Sequence, residues 1–345
     1  MPIEFINPLT DARYEQFIAS NPDTTVFHSR VWIKALEETY GFIPGCAAVI
    51  DARSIAGAVP FMETCSITGK KRCVSLPFSD FCIPLFKSEI EFNDAFHFLV
   101  EKAEKEKWHY IEIRGGEQFF QHMQCTDEIV THEIVLDKDE RKLLHLCRDS
   151  TRRNIRKAKS AGVTVVHDTS IEAMRSFYYL NCLTRKKHGI PPQPWLFFKH
   201  LWINIINKGN GFITLATFEN RAIAANLFLV FNEVGLFKYG AMDKKYGSLR
   251  PSNLTMWEGI KKCREIGCRR VNLGRTEIHH SGLLQFKRGF GCSEKTIKYF
   301  RYDCRKREFS KKPAIRSLPF AISLFSLIPL PLLRSFGKYM YRYAG

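Results

Sequence analysis

The chain has no C-x-x-C pair, although it holds 11 cysteines; the nearest two in sequence are Cys263 and Cys268. That spacing excludes the common zinc-binding and dithiol frameworks, and scattered reduced thiols in a cytoplasmic protein are expected. His279 and His280 are adjacent with no third ligand at a suitable spacing, so no metal is expected. The opening residues MPIEFINPLT lack a basic segment followed by an apolar one, and no secretory leader is expected. The uncharged run SLPFAISLFSLIPLPLL is broken by Pro319, Pro329 and Pro331, which argues against a membrane-spanning helix. Acid is scarce: 35 Asp and Glu face 52 Lys and Arg, a formal net charge of +17. The excess points to polyanionic company, whether nucleic acid, anionic lipid or phosphate-bearing small molecules.

What is present describes a folded protein. Of 345 residues, 45% are hydrophobic and 25% charged, and the length favours two domains over one core. An internal duplication supports this. AVIDARSIAGAVPF (Ala48–Phe61) and ATFENRAIAANLFL (Ala216–Leu229) each read as strand, short polar turn and small-residue strand. Each is followed by a helical pattern and another strand. Phe92, Phe96, Leu99 and Ala103 mark the first helix; Leu254, Trp257, Ile260 and Cys263 mark the second.

Five places carry chemistry. In DKKYGSLRPSNLTMWEGI, a basic glycine-containing loop runs into a helix opened by Pro251, with Ser252 and Asn253 as capping types. Such a helix start attracts phosphate, and Lys244, Lys245 and Arg250 add charge. The loop has no strict P-loop or G-x-G-x-x-G pattern, so an ordinary capped helix is the competing reading. The segment Arg148–Lys159 holds six basic residues against one acid, with Arg152, Arg156 and Lys159 on one helical face and Arg153 alongside. A solvated face, a diphosphate site and an RNA-backbone site all fit it. GRTEIHHSGLLQFKRGFG follows a strand ending with Asn272, Arg275 and Glu277, then forms a short helix from whose edge Lys287 and Arg288 project; ligands collect at such strand ends. SLPFSDFCIPLF places the exposed-type pair Ser79–Asp80 among aromatics, as a turn cap or as a general base of raised pKa. The basic and apolar C-terminal residues suit either an anionic bilayer surface or the protein's own body.

Five segments in order, VFHSRVWIKALEETYG, SLPFSDFCIPL, STRRNIRKAKSAGV, YGAMDKKYGSLRPSNLTMWEGIKKCREIGCRRVNLGRTE and GLLQFKRGFG, resemble the FemAB-like group of the GNAT acyltransferase superfamily. The resemblance implies an α/β fold of two tandem GNAT-like domains with splayed central strands. The expected division is a first domain at 1–145, a basic connecting helix at 146–165, a second domain at 166–303 and a tail at 304–345.

It also implies transfer of an acyl or aminoacyl group to an amine, with acyl-CoA or aminoacyl-tRNA as donor and no metal. The donor would lie along Tyr239, Gly247, Arg250, Ser252 and Asn253. Ser79, Arg152, Arg153, Arg156, Arg275 and Arg288 would meet phosphates or the acceptor. Asp80, Glu277 and Lys287 would act in catalysis. The implied acceptor is an amino sugar or peptide of an envelope polysaccharide or peptidoglycan precursor, handled in the cytoplasm or at the inner membrane face. Asn272 stands where related sequences often carry an acid, so no base is assigned there. The donor loop lacks the glycine-rich signature of CoA-dependent members, which keeps tRNA as the alternative donor. A non-catalytic module binding membrane or nucleic acid on the same scaffold is the third reading.

Overall fold

In the computed structural model, which describes residues 1–310 and 325–345, one series of elements occurs twice. The first is β1 (Ile3–Ile6), α1 (Ala12–Ser20), α2 (Arg30–Tyr40), β2 (Ile43–Asp51), β3 (Ser54–Cys65), β4 (Lys71–Val74), α3 (Glu89–Glu106), β5 (Tyr110–Arg114) and β6 (Asp127–Val135). Helices α4 (Glu140–Leu146) and α5 (Asp149–Ser160) follow. The second series is β7 (Thr164–Asp168), α6 (Ile171–Lys187), α7 (Trp195–Asn204), β8 (Gly211–Phe218), β9 (Arg221–Phe231), β10 (Val234–Met242), α8 (Pro251–Glu265), β11 (Arg270–Glu277), α9 (Ser281–Arg288) and β12 (Ser293–Asp303). β13 (Glu308–Phe309) and α10 (Leu330–Met340) complete the described elements.

The duplicated sequence segments are the β2–β3 and β8–β9 hairpins. Both turn through two residues, with Asp51 opposite Ser54 and Phe218 opposite Arg221. Ala52, Glu219 and Asn220 take positive φ there, the conformation that tight hairpin turns demand.

The chain forms two compact units. The first holds Met1–Ile129 and β12 from Thr296 onward; the second holds Val130–Lys295 and α10 through Tyr339. Each series therefore gives the end of its last strand to the other unit's residue set. The basic helix α5, expected as a connector, is part of the second unit: its Ile155 and Ala158 are buried in one core with Leu254, Trp257 and Ile260 of α8.

Within the first unit, β1 to β4 pair antiparallel and β4 meets β5 in parallel over only Cys73–Val74 and Ile111–Glu112. Phe92, Leu99 and Ala103 of α3 are buried against Val59, Phe61 and Ile111, as the helical spacing requires. A buried ion triad sits beside this core. Glu112 accepts from Arg114 Nη2 at 3.0 Å and from Arg301 Nη2 at 2.6 Å. Burial pushes the Glu112 carboxyl up, but the two guanidiniums outweigh it and hold the group at about 2.

Within the second unit, β7 to β10 pair antiparallel and β10 pairs β11 in parallel. Helix α8 covers the sheet at close range, because Gly259 has no Cβ to strike the Phe228 ring. Leu254, Trp257, Ile260 and Cys263 are all buried, which matches the expected stripe. The run at 317–333 lies partly outside the described residues. Among the described residues, no helix is long and apolar enough to cross a membrane.

The triad sets an acid-stability prediction. A carboxyl held below its ordinary value of 4.5 stabilises the fold above that value and loses its contribution as pH falls through about 2. Glu112→Gln leaves two buried guanidiniums uncompensated and should cost about 3–5 kcal/mol at neutral pH. Urea unfolding should show that deficit shrinking between pH 4.5 and 2. Equal unfolding midpoints at neutral pH would contradict the assignment.

Candidate functional site

The parallel pairing of β10 with β11 lasts three residues, Val234–Leu236 against Arg270–Asn272. Beyond Leu236, β10 continues to Met242 on its β9 side alone, through a bulge between Phe237 and Tyr239. A bulge adds twist and turns the strand away from its neighbour. The expected parting of central strands is therefore present in this unit.

Directly after β10 comes the basic loop. Lys244, Lys245 and Arg250 are exposed, while the Asp243 carboxylate accepts from Lys245 N at 3.0 Å and caps the turn. A Cβ at Gly247 would meet only Met242 Cε, at 3.8 Å. Arg250 takes φ of 59° and forms the N-cap of α8 with no side-chain cap bond. Ser252 and Asn253 thus sit inside the first turn instead of capping it. Ser252 Oγ contacts Met242 Sδ at 3.3 Å, and Asn253 is buried. The first turn of α8 presents main-chain N–H groups and the positive end of the helix dipole beside three cations. This suits a pyrophosphate. Tyr239 is fixed by a bond from its hydroxyl to Gln193 Oε1 at 2.9 Å.

Strand β11 forms the other bank. Asn272 is buried mid-strand, where its Oδ1 accepts from Gly274 N at 2.7 Å and from Thr131 Oγ1 at 2.9 Å. It is a structural clamp on a kink at Gly274, whose φ is 72°. Lys287, expected at a helix edge, is only 2% exposed. Its Nζ donates to Gly274 O at 2.9 Å and Arg275 O at 3.0 Å. The reason is local: Leu284 and Lys287 lie one turn apart on the buried face of α9, so the ammonium meets the carbonyls at the kink. Glu277 is exposed at the strand end, with Arg275 at 3.4 Å and His279 at 3.1 Å. Arg288 is held by Glu294 at 2.6 Å.

Sequence reasoning missed His132. Its ring is buried with Nε2 3.0 Å from Glu294, and burial together with the Lys287 charge lowers it to about 4. The signal available was the polar pair Thr131–His132 directly after Ile129 and Val130 in strand β6.

The other expected residues divide. Arg152 is spent on His145 O and Cys147 O, each at 3.0 Å, and Lys159 pairs Glu258 at 3.0 Å. Arg153 and Arg156 are exposed. In the first unit, the expected exposed pair is buried: Ser79 is 1% and Asp80 3% exposed. Leu76 and Phe78 take φ of 52° and 61°, folding the loop inward. Ser79 Oγ donates to Leu76 O, Arg114 Nη1 donates to Ser79 O at 3.3 Å, and the Tyr299 hydroxyl donates to Asp80 O.

Residues 146–288, from the end of α4 through Arg288, match the family model described as an acetyltransferase (GNAT) domain. A crystal structure of FemX shares the fold with a TM-score of 0.69 and 14% identity, over 86% of this chain and 97% of that one. A tandem GNAT protein from the clavulanic acid biosynthesis pathway, solved without AcCoA, gives 0.56 and 10% over 88% and 99%. L-PGS from Bacillus licheniformis gives 0.54 and 12% over 93% and 97%. At these identities the likeness is one of fold, a tandem GNAT architecture. No curated protein matches the chain by sequence.

The Lys287 charge acts directly on a neighbour, His132. Lys287→Met should move the His132 titration, followed by ring proton NMR, upward from about 4. An unchanged or lower midpoint would show that burial alone depresses it.

Proposed function

We propose that the chain is an N-acyltransferase that moves an acyl group from acyl-CoA to an amine of an amino sugar or peptide in an envelope polysaccharide or peptidoglycan precursor. The observation that carries this reading is the parting of β10 from β11 immediately before a basic loop and the positive end of α8. Lys244, Lys245, Arg250 and the α8 start, with Ser252 and Asn253, would hold the donor's pyrophosphate beside Gly247. The part of β10 beyond its β11 pairing, including Tyr239 and Gly240, would align the acyl arm and offer main-chain N–H groups to the developing oxyanion.

The reaction needs few protein atoms. The neutral amine attacks the acyl carbon, the new C–N bond forms, the C–S bond breaks, and the amine proton leaves to a base. Orientation supplies most of the acceleration, so no covalent enzyme intermediate is required. Glu277, exposed at the end of β11, is the base nearest this strand end. Lys287 fixes the Gly274–Arg275 backbone and so positions the bank on which Glu277 stands. Arg275 and Arg288 are engaged by Glu277 and Glu294 and would reach acceptor phosphates only by exchanging those partners. The site of action that fits this acceptor is the cytoplasm or the inner membrane face.

Aminoacyl-tRNA as donor is favoured by one observation: Arg153, Arg156 and Lys157 leave an exposed cationic stretch on α5. Assays with acetyl-CoA and with aminoacyl-tRNA on an amine-bearing precursor separate the two. Turnover with acetyl-CoA that survives RNase supports the first reading; turnover that requires intact tRNA replaces it. With the active donor, Arg250→Gln should raise donor KM about tenfold, the effect of losing roughly 1.4 kcal/mol of binding. Glu277→Gln should lower kcat at least about 100-fold. Wild-type kinetics in both variants would remove this site from the reaction.

A further inference from the structure

A second cationic recess lies in the second unit, where α6, the start of α7 and α10 meet. It is a groove of about 600 Å³ lined by Arg175, Tyr178, Tyr179, Trp195, Arg334 and Lys338, among others, and no described carboxylate lines it. Its cations are braced on aromatic faces: the Arg175 guanidinium lies 5.2 Å from the Trp195 ring and that of Arg334 5.3 Å from Tyr178. Arg334 Nε is buried with no hydrogen-bond partner. None of these residues belongs to the donor loop or to β11.

Helix α10 is seated firmly enough to make this a built surface. Leu333 is fully buried, and a Cβ at Gly337 would strike Pro192 O. The exposed arc carries Arg334 and Lys338 along one side and Leu332 and Phe336 along the other, each pair one turn apart. Leu332 is 63% and Phe336 46% exposed, and Tyr179 and Leu196 expose apolar surface at the opposite lip. Three cations with no carboxylate beside them among the described residues, aromatic walls and large exposed apolar side chains together match the boundary between lipid headgroups and acyl chains. A soluble anion would account for the cations but not for Leu332 and Phe336.

We infer that this groove binds the phosphate of an anionic phospholipid at a bilayer surface, with Leu332 and Phe336 entering the headgroup–acyl boundary. The inference is independent of the transferase reading, and its failure leaves that reading intact. The full chain is sedimented with vesicles of phosphatidylcholine containing phosphatidylglycerol, and with vesicles of phosphatidylcholine alone. Binding should require phosphatidylglycerol. Each cation near such a surface contributes about fivefold, so Arg175→Gln with Lys338→Gln should weaken binding about 25-fold. Leu332→Glu with Phe336→Glu should weaken it comparably. All four positions are exposed, and unchanged thermal melting checks that each variant folds. Vesicle binding that survives both double substitutions overturns the proposal. So does binding of glycerol phosphate by the wild type without vesicle binding, which would make the groove a site for a soluble phosphate ester.

Discussion

Two parallel strands that stop pairing after three residues are the constraint on which the candidate site of this molecule depends. Parallel strands ordinarily stay in register for as long as their backbones can exchange hydrogen bonds. Here both strands are drawn elsewhere. The bulge at Phe237 and Tyr239 keeps β10 on its β9 partner. On β11, the Asn272 side chain takes up Gly274 N while the Lys287 ammonium takes up the carbonyls of Gly274 and Arg275. A buried lysine is costly unless its donors are satisfied, and the kinked strand satisfies them. Side-chain bonds thus brace β11 where the strands part.

Charge in the second unit is arranged in two layers. Arg152, Lys159 and Arg288 are engaged by carbonyls or carboxylates and hold elements together. Lys244, Lys245, Arg250, Arg153 and Arg156 are exposed. The large positive excess of the sequence is therefore a mixture of structural and available cations. The fold places the available ones of the loop next to a helix start, where dipole and side chains act with the same sign.

Much of this was legible in the sequence because it is local. The small-residue hairpins, the α3 and α8 stripes and the α8 start announce themselves through alternation, helical spacing and Pro251. What stayed hidden depends on partners distant in the chain. Lys287 read as a surface charge because its partners exist only once Gly274 adopts positive φ. Ser79 and Asp80 read as exposed because their burial follows from two positive-φ residues and from Arg114 and Tyr299, far along the chain. His132 gains its meaning from Glu294 and Lys287. The membership of α5, and of the ends of β6 and β12, is likewise a matter of long-range packing that no short pattern records.

The most direct test is hydrogen–deuterium exchange of the full chain with and without CoA. The account predicts slowed exchange confined to Phe237–Met242 and the Asp243–Asn253 loop and helix start, where the donor would cover main-chain N–H groups. Protection elsewhere with none on these segments, or no protection at saturating CoA, would contradict it.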